Sequence, residues 1–402
     1  MTTRVAPRQD VPEVVRDSGY IAGLDGLRAV AILGVIFAHQ FTQCDGIDGL
    51  RGVARLIAVE SWRSGIAGVR LFFAISGFLI CSRLLGELAG ARPGAVLRSF
   101  YVRRAFRILP PLVPYLSLLA VGAALGWLPI RRKELVAAAL FVANYVTGKS
   151  WYTHHFWSLA VEEHFYLLWA PLLAFAGRTR AAVVAAVIII STAIVRPIVV
   201  NPLADPSYAL KLTHLLLDAF MFPCLLAIVL ARPAVRERAV SLANGRTMLA
   251  VLAALTISSV IPSRFGVPGF DLRSIQALLL ALIVAIPSLA PTSLMTRALE
   301  LRPLTWVGRR SYGIYIWQQL VFTPTTATLS HKVLVFPLRL VAVLLVAEIS
   351  FRFLERPLLA RGRAIADRFA PAPEPNRDDT MSVGSTGDES EEPAIAANAV
   401  GR

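Results

Sequence analysis

Residues 157–176, WSLAVEEHFYLLWAPLLAFA, and residues 181–200, AAVVAAVIIISTAIVRPIVV, decide the fold class. Each run has about 20 residues, the length of α-helix that crosses the hydrocarbon core of a bilayer. Between them stand only Gly177-Arg178-Thr179-Arg180, room for a short basic turn and nothing more. The same reading carried along the chain predicts further spans at 22–42, 66–86, 110–128, 212–231, 247–262, 274–291, 311–328 and 333–352. The expectation is an all-α polytopic membrane protein with about ten transmembrane helices in one bundle. The stretch 134–147 is apolar but too short to span, and reads as a re-entrant or interfacial piece.

Composition agrees. Of 402 residues, 56% are hydrophobic and only 17% charged, against roughly 25% charged in a typical soluble domain. The mean hydropathy is +0.61. The formal net charge of +15 comes mostly from arginines in the stretches between apolar runs. With the N-terminus in the cytoplasm, the inner loops 87–109, 177–180, 232–246 and 292–310 hold most of these arginines. That bias predicts both termini inside and an even number of spans. It excludes a nucleic-acid partner, because no soluble domain presents a basic face. The organisation expected is a cytoplasmic segment 1–19, a membrane domain 20–369 and a disordered tail 370–402 rich in Pro, Ala, Ser, Asp and Glu. No cleavable signal is expected, so the first span stays in the protein.

The three cysteines form no CxxC pair; Cys81 and Cys224 fall in apolar runs and read as core, while Cys44 is near a helix end. The only tight His/Glu grouping, His154, His155 and Glu162-Glu163-His164, lacks HExxH spacing, so no metal site is expected.

Several polar groups sit inside the apolar runs. Arg28 and His39 are eleven residues apart, close to three helical turns, so both point to one face at depths about 16 Å apart. An intramembrane arginine usually faces a bundle interior or a wet cavity, and a histidine is the natural general base near neutral pH. A snorkelling cation and an interhelical hydrogen bond explain the pair equally without chemistry. In HFWSLAVEEHFYLLW (155–169), Glu162 lies one turn from Ser158 and from Tyr166. A carboxylate there can orient a histidine or bind a hydroxylated substrate, and Trp157 and Tyr166 can stack on a sugar ring. The plain reading is an interfacial aromatic belt with an acidic helix start. Ser76-Gly77 in GVRLFFAISGFLI (68–80) permits close approach of a ligand or of another helix. The segment SFYVRRAFRIL (99–109) reads as an amphipathic helix on the inner surface ended by Pro110-Pro111. Its Arg103, Arg104 and Arg107 suit a phosphate-rich ligand or anionic lipid heads. Tyr312 and Tyr315 in SYGIYIWQQ (311–319) lie one turn apart, as in a packing stripe, and Glu355-Arg356-Pro357 reads as a helix stop.

In order along the chain, Arg28-x10-His39 after Leu24-Asp25-Gly26-Leu27, then GVRLFFAISGFLI, RRAFRILP, HFWSLAVEEHFYLLW, VGRRSYGIYIWQ and FLERP cover about residues 20–360. This set resembles acyltransferase family 3, the multispan O-acyltransferases that modify sugars, polysaccharides and some antibiotics. The resemblance implies an acyl-CoA donor, by default acetyl-CoA, on the cytoplasmic side. It implies His39 as the catalytic residue with Arg28 as its partner, and Arg104 and Arg107 near the donor's phosphates. Ser76 and Glu162 match the SGF and VEE motifs, with Ser76 on the donor side and Glu162 as a second catalytic group. Trp157, Glu163, Tyr166 and Tyr315 are the expected contacts of a sugar-containing acceptor. No tightly bound cofactor is expected. Many members have an acid at Arg70, Gln at His164 and His at Gln318, and the last departure argues against a catalytic role for position 318. Some members carry a C-terminal SGNH-type hydrolase domain, which is not expected in a chain of this length.

Arginine far exceeds lysine, which occurs only at 133, 149, 211 and 332, a usage of GC-rich bacteria that points to a bacterial cytoplasmic membrane. The rival from another class is a proton-coupled transporter or flippase for a sugar or lipid, which would also place Arg, His and Glu within the membrane. Against it, no paired half-repeats or matched broken helices stand in the sequence.

Overall fold

The structure, a computed structural model, describes residues 21–40, 53–200, 202–203, 207–265, 272–323 and 337–369. The N-terminal segment, the acidic tail and Cys44 lie outside the described residues. Among the described residues all regular structure is helical. In order these are α1 (Leu24–His39), α2 (Val53–Leu88), α3 (Pro93–Ala124), α4 (Arg132–Ala139), α5 (Trp151–His154) and α6 (Phe156–Val200). They continue as α7 (Asp218–Leu230), α8 (Pro233–Leu242), α9 (Gly245–Phe265), α10 (Arg273–Leu289), α11 (Leu294–Leu299), α12 (Arg302–Val321), α13 (Leu338–Ser350) and α14 (Arg356–Asp367).

Each apolar run read from the sequence overlaps a helix. Among the described residues three segments, Gly65–Leu88, Pro93–Ala124 and Trp151–Val200, are long and apolar enough to cross a membrane, and α7 with α8 forms a fourth candidate bent by 111°. Within α6, Gly177 has φ 77° and ψ 169°, a left-handed conformation that glycine adopts at no steric cost. It divides α6 into 156–176 and 178–200, where the sequence put a turn. Along the second half, Val183, Val187, Ile190, Ile194 and Ile198 are each more than half exposed. An apolar stripe of that length needs an apolar solvent, and lipid is the one available.

Two local readings change. SFYVRRAFRIL does not stop at Pro110-Pro111; α3 runs through Pro110, Pro111 and Pro114 to Ala124. Proline is tolerated within a membrane helix where neighbours supply hydrogen bonds to the disturbed turns, and Tyr312 Oη donates to Ile108 O at 2.9 Å beside the first two. Nor does the chain stop at Glu355-Arg356-Pro357: a π turn, Phe351–Glu355, carries it into α14, with Pro357 in the first turn, where its missing N–H costs nothing. The 134–147 stretch is α4 followed by a turn and a short 3-10 segment, Ala143–Tyr145.

The helix that matters most is α1, packed between α2 and α12. A Cβ at Gly68 of α2 would stand 2.4 Å from Ala31 O, and one at Gly308 of α12 would stand 1.8 Å from Asp25 O. Both glycines therefore let a neighbouring backbone touch α1 directly. Elsewhere, Arg196 of α6 meets Asp218 of α7 through two hydrogen bonds of 2.9 and 2.8 Å and donates to Ser274 Oγ of α10 at 2.8 Å. Both ions of that pair are buried, so removing either would strand a charge. Cys81 and Cys224 pack in the core as free thiols.

Gly308→Ala is expected to lower unfolding stability in detergent by about 1–3 kcal/mol, the cost of overpacking a tight contact. Gly245→Ala, where an added Cβ meets nothing within 4 Å, should leave the denaturation midpoint unchanged.

Candidate active site

Three cavities adjoin along α1. The first, about 510 Å³, is walled by Arg28, Arg83, Arg103, Arg104, Arg107, Arg309 and Arg363, with Asp25 and Glu87 as the only acids among its described lining. Asp25 pairs with Arg28 at 2.8 Å and Arg309 at 3.3 Å. Glu87 holds Arg103 through bonds of 2.7 and 2.8 Å. Seven guanidinium groups against two carboxylates make an anion site, with planar donors that match phosphate oxygens.

The second cavity is a neck of about 100 Å³ that shares Arg28, Arg104 and Arg107 with the first. Its other walls include Ser76, Glu162, Glu163, Tyr166, Tyr312 and Tyr315. Ser76 Oγ donates to Glu162 Oε1 at 2.5 Å, and Tyr166 Oη donates to the same oxygen. Arg104 Nη1 donates to Tyr166 Oη at 3.3 Å while its guanidinium lies 4.5 Å from the Tyr166 ring centre. The face of Tyr166 is thus a platform for a cation, and not the free sugar platform expected from the sequence.

The third cavity, about 700 Å³, shares Val69, Phe73 and Tyr315 with the neck. His39, Arg70, Lys149, Trp151, His155 and Trp157 are among its walls. His39 Nδ1 lies 3.3 Å from Gln318 Oε1, and its ring meets Trp151 edge-on at 5.1 Å. Trp157 stands edge-on to Phe73 at 6.2 Å. Tyr315, expected as an acceptor contact, uses its hydroxyl to brace the wall: Oη donates to His155 O at 3.0 Å and lies 2.5 Å from Ser158 Oγ. Arg70 donates to Gln276 Oε1 at 3.0 Å in the same wall.

The geometry therefore gathers Arg28, Arg104 and Arg107 at one end of a passage, Ser76, Glu162, Glu163 and Tyr166 in its middle, and His39 with Trp157 at the other. It does not bring Glu162 to His39. Glu162 holds Ser76 and Tyr166 in the neck, and the hydrogen-bond partner of His39 is Gln318.

An arginine-lined anion cavity and a half-buried imidazole thus adjoin one helix of an all-helical chain with several segments apolar enough to cross a membrane. Residues 21–350 match the acyltransferase domain model of acyltransferase family 3, and the chain belongs to that family. Among curated proteins it is similar to the putative peptidoglycan O-acetyltransferase YrhL of Bacillus subtilis, 28% identical over 381 residues, covering 85% of this chain and 55% of that protein. The peptidoglycan O-acetyltransferase OatA of Listeria monocytogenes is 27% identical, with 85% of this chain and 56% of that protein covered. The O-acetyltransferase OatA of Staphylococcus aureus is 29% identical, with 85% and 58% covered. The chain thus spans a little over half the length of these relatives. No solved structure matches it.

Sequence reasoning missed Gln318, Trp151 and Lys149. Gln318 stands where many family members have His, a departure that argues against a catalytic role, yet its position one turn after Tyr315 is the signal that it shares that wall. Lys149 comes from the stretch after α4 and Trp151 opens α5, and a polar cluster holds both in place. Buried Glu134 accepts from Ser150 N and Thr153 Oγ1, both at 2.7 Å, and from Arg131 Nε at 2.9 Å. Burial works to raise this carboxyl, but the bonds from Thr153, Ser150 and Arg131 outweigh it and hold it at about 2, below the ordinary 4.5. Because the folded value is depressed, the stabilisation is whole above about pH 4.5 and is lost as the pH falls through 2. The thermal midpoint should accordingly show an acid-side decline in that window that is smaller in Glu134→Gln, which at neutral pH is less stable by about 1–3 kcal/mol.

Proposed function

We propose that this chain is a membrane O-acyltransferase that moves an acyl group, by default acetyl, from an acyl-CoA to a hydroxyl of a sugar-containing acceptor. What carries the reading is the row of three adjoining cavities, each sharing wall residues with the next, from seven arginines to His39. The phosphates of coenzyme A bind Arg104, Arg107 and Arg28 at the first cavity. The pantetheine arm threads the neck past Ser76, a path comparable to the three-turn rise of about 16 Å between Arg28 and His39. The thioester then meets the acceptor hydroxyl in the large chamber.

His39 Nε2 takes the hydroxyl proton as the oxygen bonds to the thioester carbon. The tetrahedral intermediate collapses, the carbon–sulfur bond breaks, and the departing thiolate takes the proton from the imidazolium. Trp157 offers a ring for the acceptor. Glu162 and Glu163 act in the neck, where Glu162 orders Ser76 and Tyr166 along the donor arm.

The reading carries a multi-pass topology in a bacterial cytoplasmic membrane, with ten spans and both ends in the cytoplasm, so the arginine cavity opens to the cytosolic acyl-CoA pool. The names of the relatives favour a polysaccharide acceptor of the peptidoglycan kind; a glycolipid or a glycosylated natural product has the same hydroxyl chemistry.

Purified protein given labelled acetyl-CoA and a saccharide acceptor should transfer the label with no ion gradient, which a coupled transporter would need. His39→Ala should lose at least a hundredfold in turnover. Arg104→Ala and Arg107→Ala should each raise KM for acetyl-CoA by about ten- to a hundredfold, the size of one charge-assisted hydrogen bond. Retained transfer by a folded His39→Ala protein would refute the reading.

A further inference from the structure

His39 and Gln318 come together from α1 and α12 across 279 positions of sequence. Gln318 is fully buried, and both ends of its amide are engaged. Nε2 donates to Tyr315 O, one turn back on α12, at 3.2 Å. That leaves Oε1 to face His39 Nδ1 at 3.3 Å. Turning the amide over would set two carbonyl oxygens against each other at Tyr315 and present an N–H to the histidine. The observed orientation avoids that repulsion, so the backbone of α12 decides what His39 meets.

A carbonyl oxygen only accepts hydrogen bonds, whereas a neutral imidazole has one N–H and one bare nitrogen. We infer that Gln318 is a positioning residue that holds His39 as its Nδ1–H tautomer and so presents Nε2, with its lone pair, to the chamber. The inference rests on the acyl-transfer reading, in which Nε2 must be unprotonated to take the acceptor's proton. It adds that the orienting partner is an uncharged amide, where a carboxylate would serve as counter-ion to the imidazolium. The partner therefore selects the tautomer and supplies no full charge. Trp151 fixes the ring from the side: it meets His39 edge-on at 5.1 Å, and its Nε1 donates to Gln319 O at 3.0 Å. The same short stretch of α12, residues 315–319, thus holds the acceptor for Nδ1, the brace for that acceptor and the anchor for the ring's neighbour.

The experiment is ¹⁵N spectroscopy of the imidazoles in histidine-labelled protein, with His39→Ala assigning the signal among the six histidines. Wild type should show Nδ1 protonated and Nε2 bare. Gln318→Met, which keeps the volume and loses the acceptor, should show both tautomers. Its kcat should fall about tenfold, the scale of one neutral hydrogen bond, with KM for acetyl-CoA within twofold of wild type. Gln318→Glu retains an acceptor oxygen and should keep the Nδ1–H signal, which also covers the case in which the methionine variant fails to fold. An Nε2–H signal in wild type, loss of Nδ1–H in Gln318→Glu, or unchanged kcat in Gln318→Met overturns the inference. The spectrum needs no turnover, so it supports the assignment of the tautomer even where the transfer assay goes against acyl transfer.

Discussion

Backbone contact on two sides of α1 is the constraint on which the site depends. Gly68 touches it at Ala31 O and Gly308 at Asp25 O, with no side chain between that could flex. A helix held in this way cannot slide or tilt without a steric clash, so the separation of Arg28 from His39 is fixed by helical rise alone. A ligand that spans the two must match that length. The arrangement turns a single helix into a ruler, with its cation in the arginine cavity and its imidazole in the chamber.

The balance of charge changes along the passage. The first cavity is dominated by guanidinium groups, while the neck brings Glu162 and Glu163 together. In the proposed reaction this partition sorts the parts of one ligand. Phosphates stop at the arginines, because carboxylates and a volume of about 100 Å³ lie beyond. The uncharged pantetheine arm pays no such electrostatic cost and can proceed. Arg104 stands at the junction, bonded to Tyr166 and through it to Glu162, so the groups that bind phosphate and those that line the neck form one hydrogen-bonded unit.

The helices were legible because hydropathy is a local property. Every apolar run overlaps a helix of the described residues, and even Gly177-Arg178-Thr179-Arg180 marked the break within α6. Arg28 and His39 were legible for the same reason, since eleven residues of one helix fix their common face. Glu162 was not. Periodicity paired it correctly with Tyr166, but it cannot say which helix lies opposite, and the structure sets Ser76 there instead of His39. Proline misled in the other direction: in water Pro110-Pro111 would end a helix, whereas in a bundle Tyr312 supports the turn beside them. Gln318 reads in the sequence only as the loss of a family histidine, whereas an amide beside an imidazole has a role that depends wholly on which of its two ends faces the ring.

The helices that build the site and those that meet lipid differ in kind. In Gly65–Leu88, which carries Ser76, 72% of the most apolar window is buried, whereas in Trp151–Val200 the figure is 22%. A helix enclosed by others can keep serine, arginine, histidine and glutamine, because partners and cavities satisfy them. A face that meets hydrocarbon cannot, which is why the exposed stripe of 178–200 is Val183, Val187, Ile190, Ile194 and Ile198 while Arg196 is turned inward to Asp218. Hydropathy is therefore weakest for the helices that hold the chemistry. Among the described residues, neither α1, with Arg28 and His39, nor α12, with Arg309, Arg310, Gln318 and Gln319, has the length and apolar window of an unaided span. Their polar content follows from their place between other helices: the interior position that makes them poor spans by hydropathy is the one that lets them hold an imidazole and its partner away from lipid.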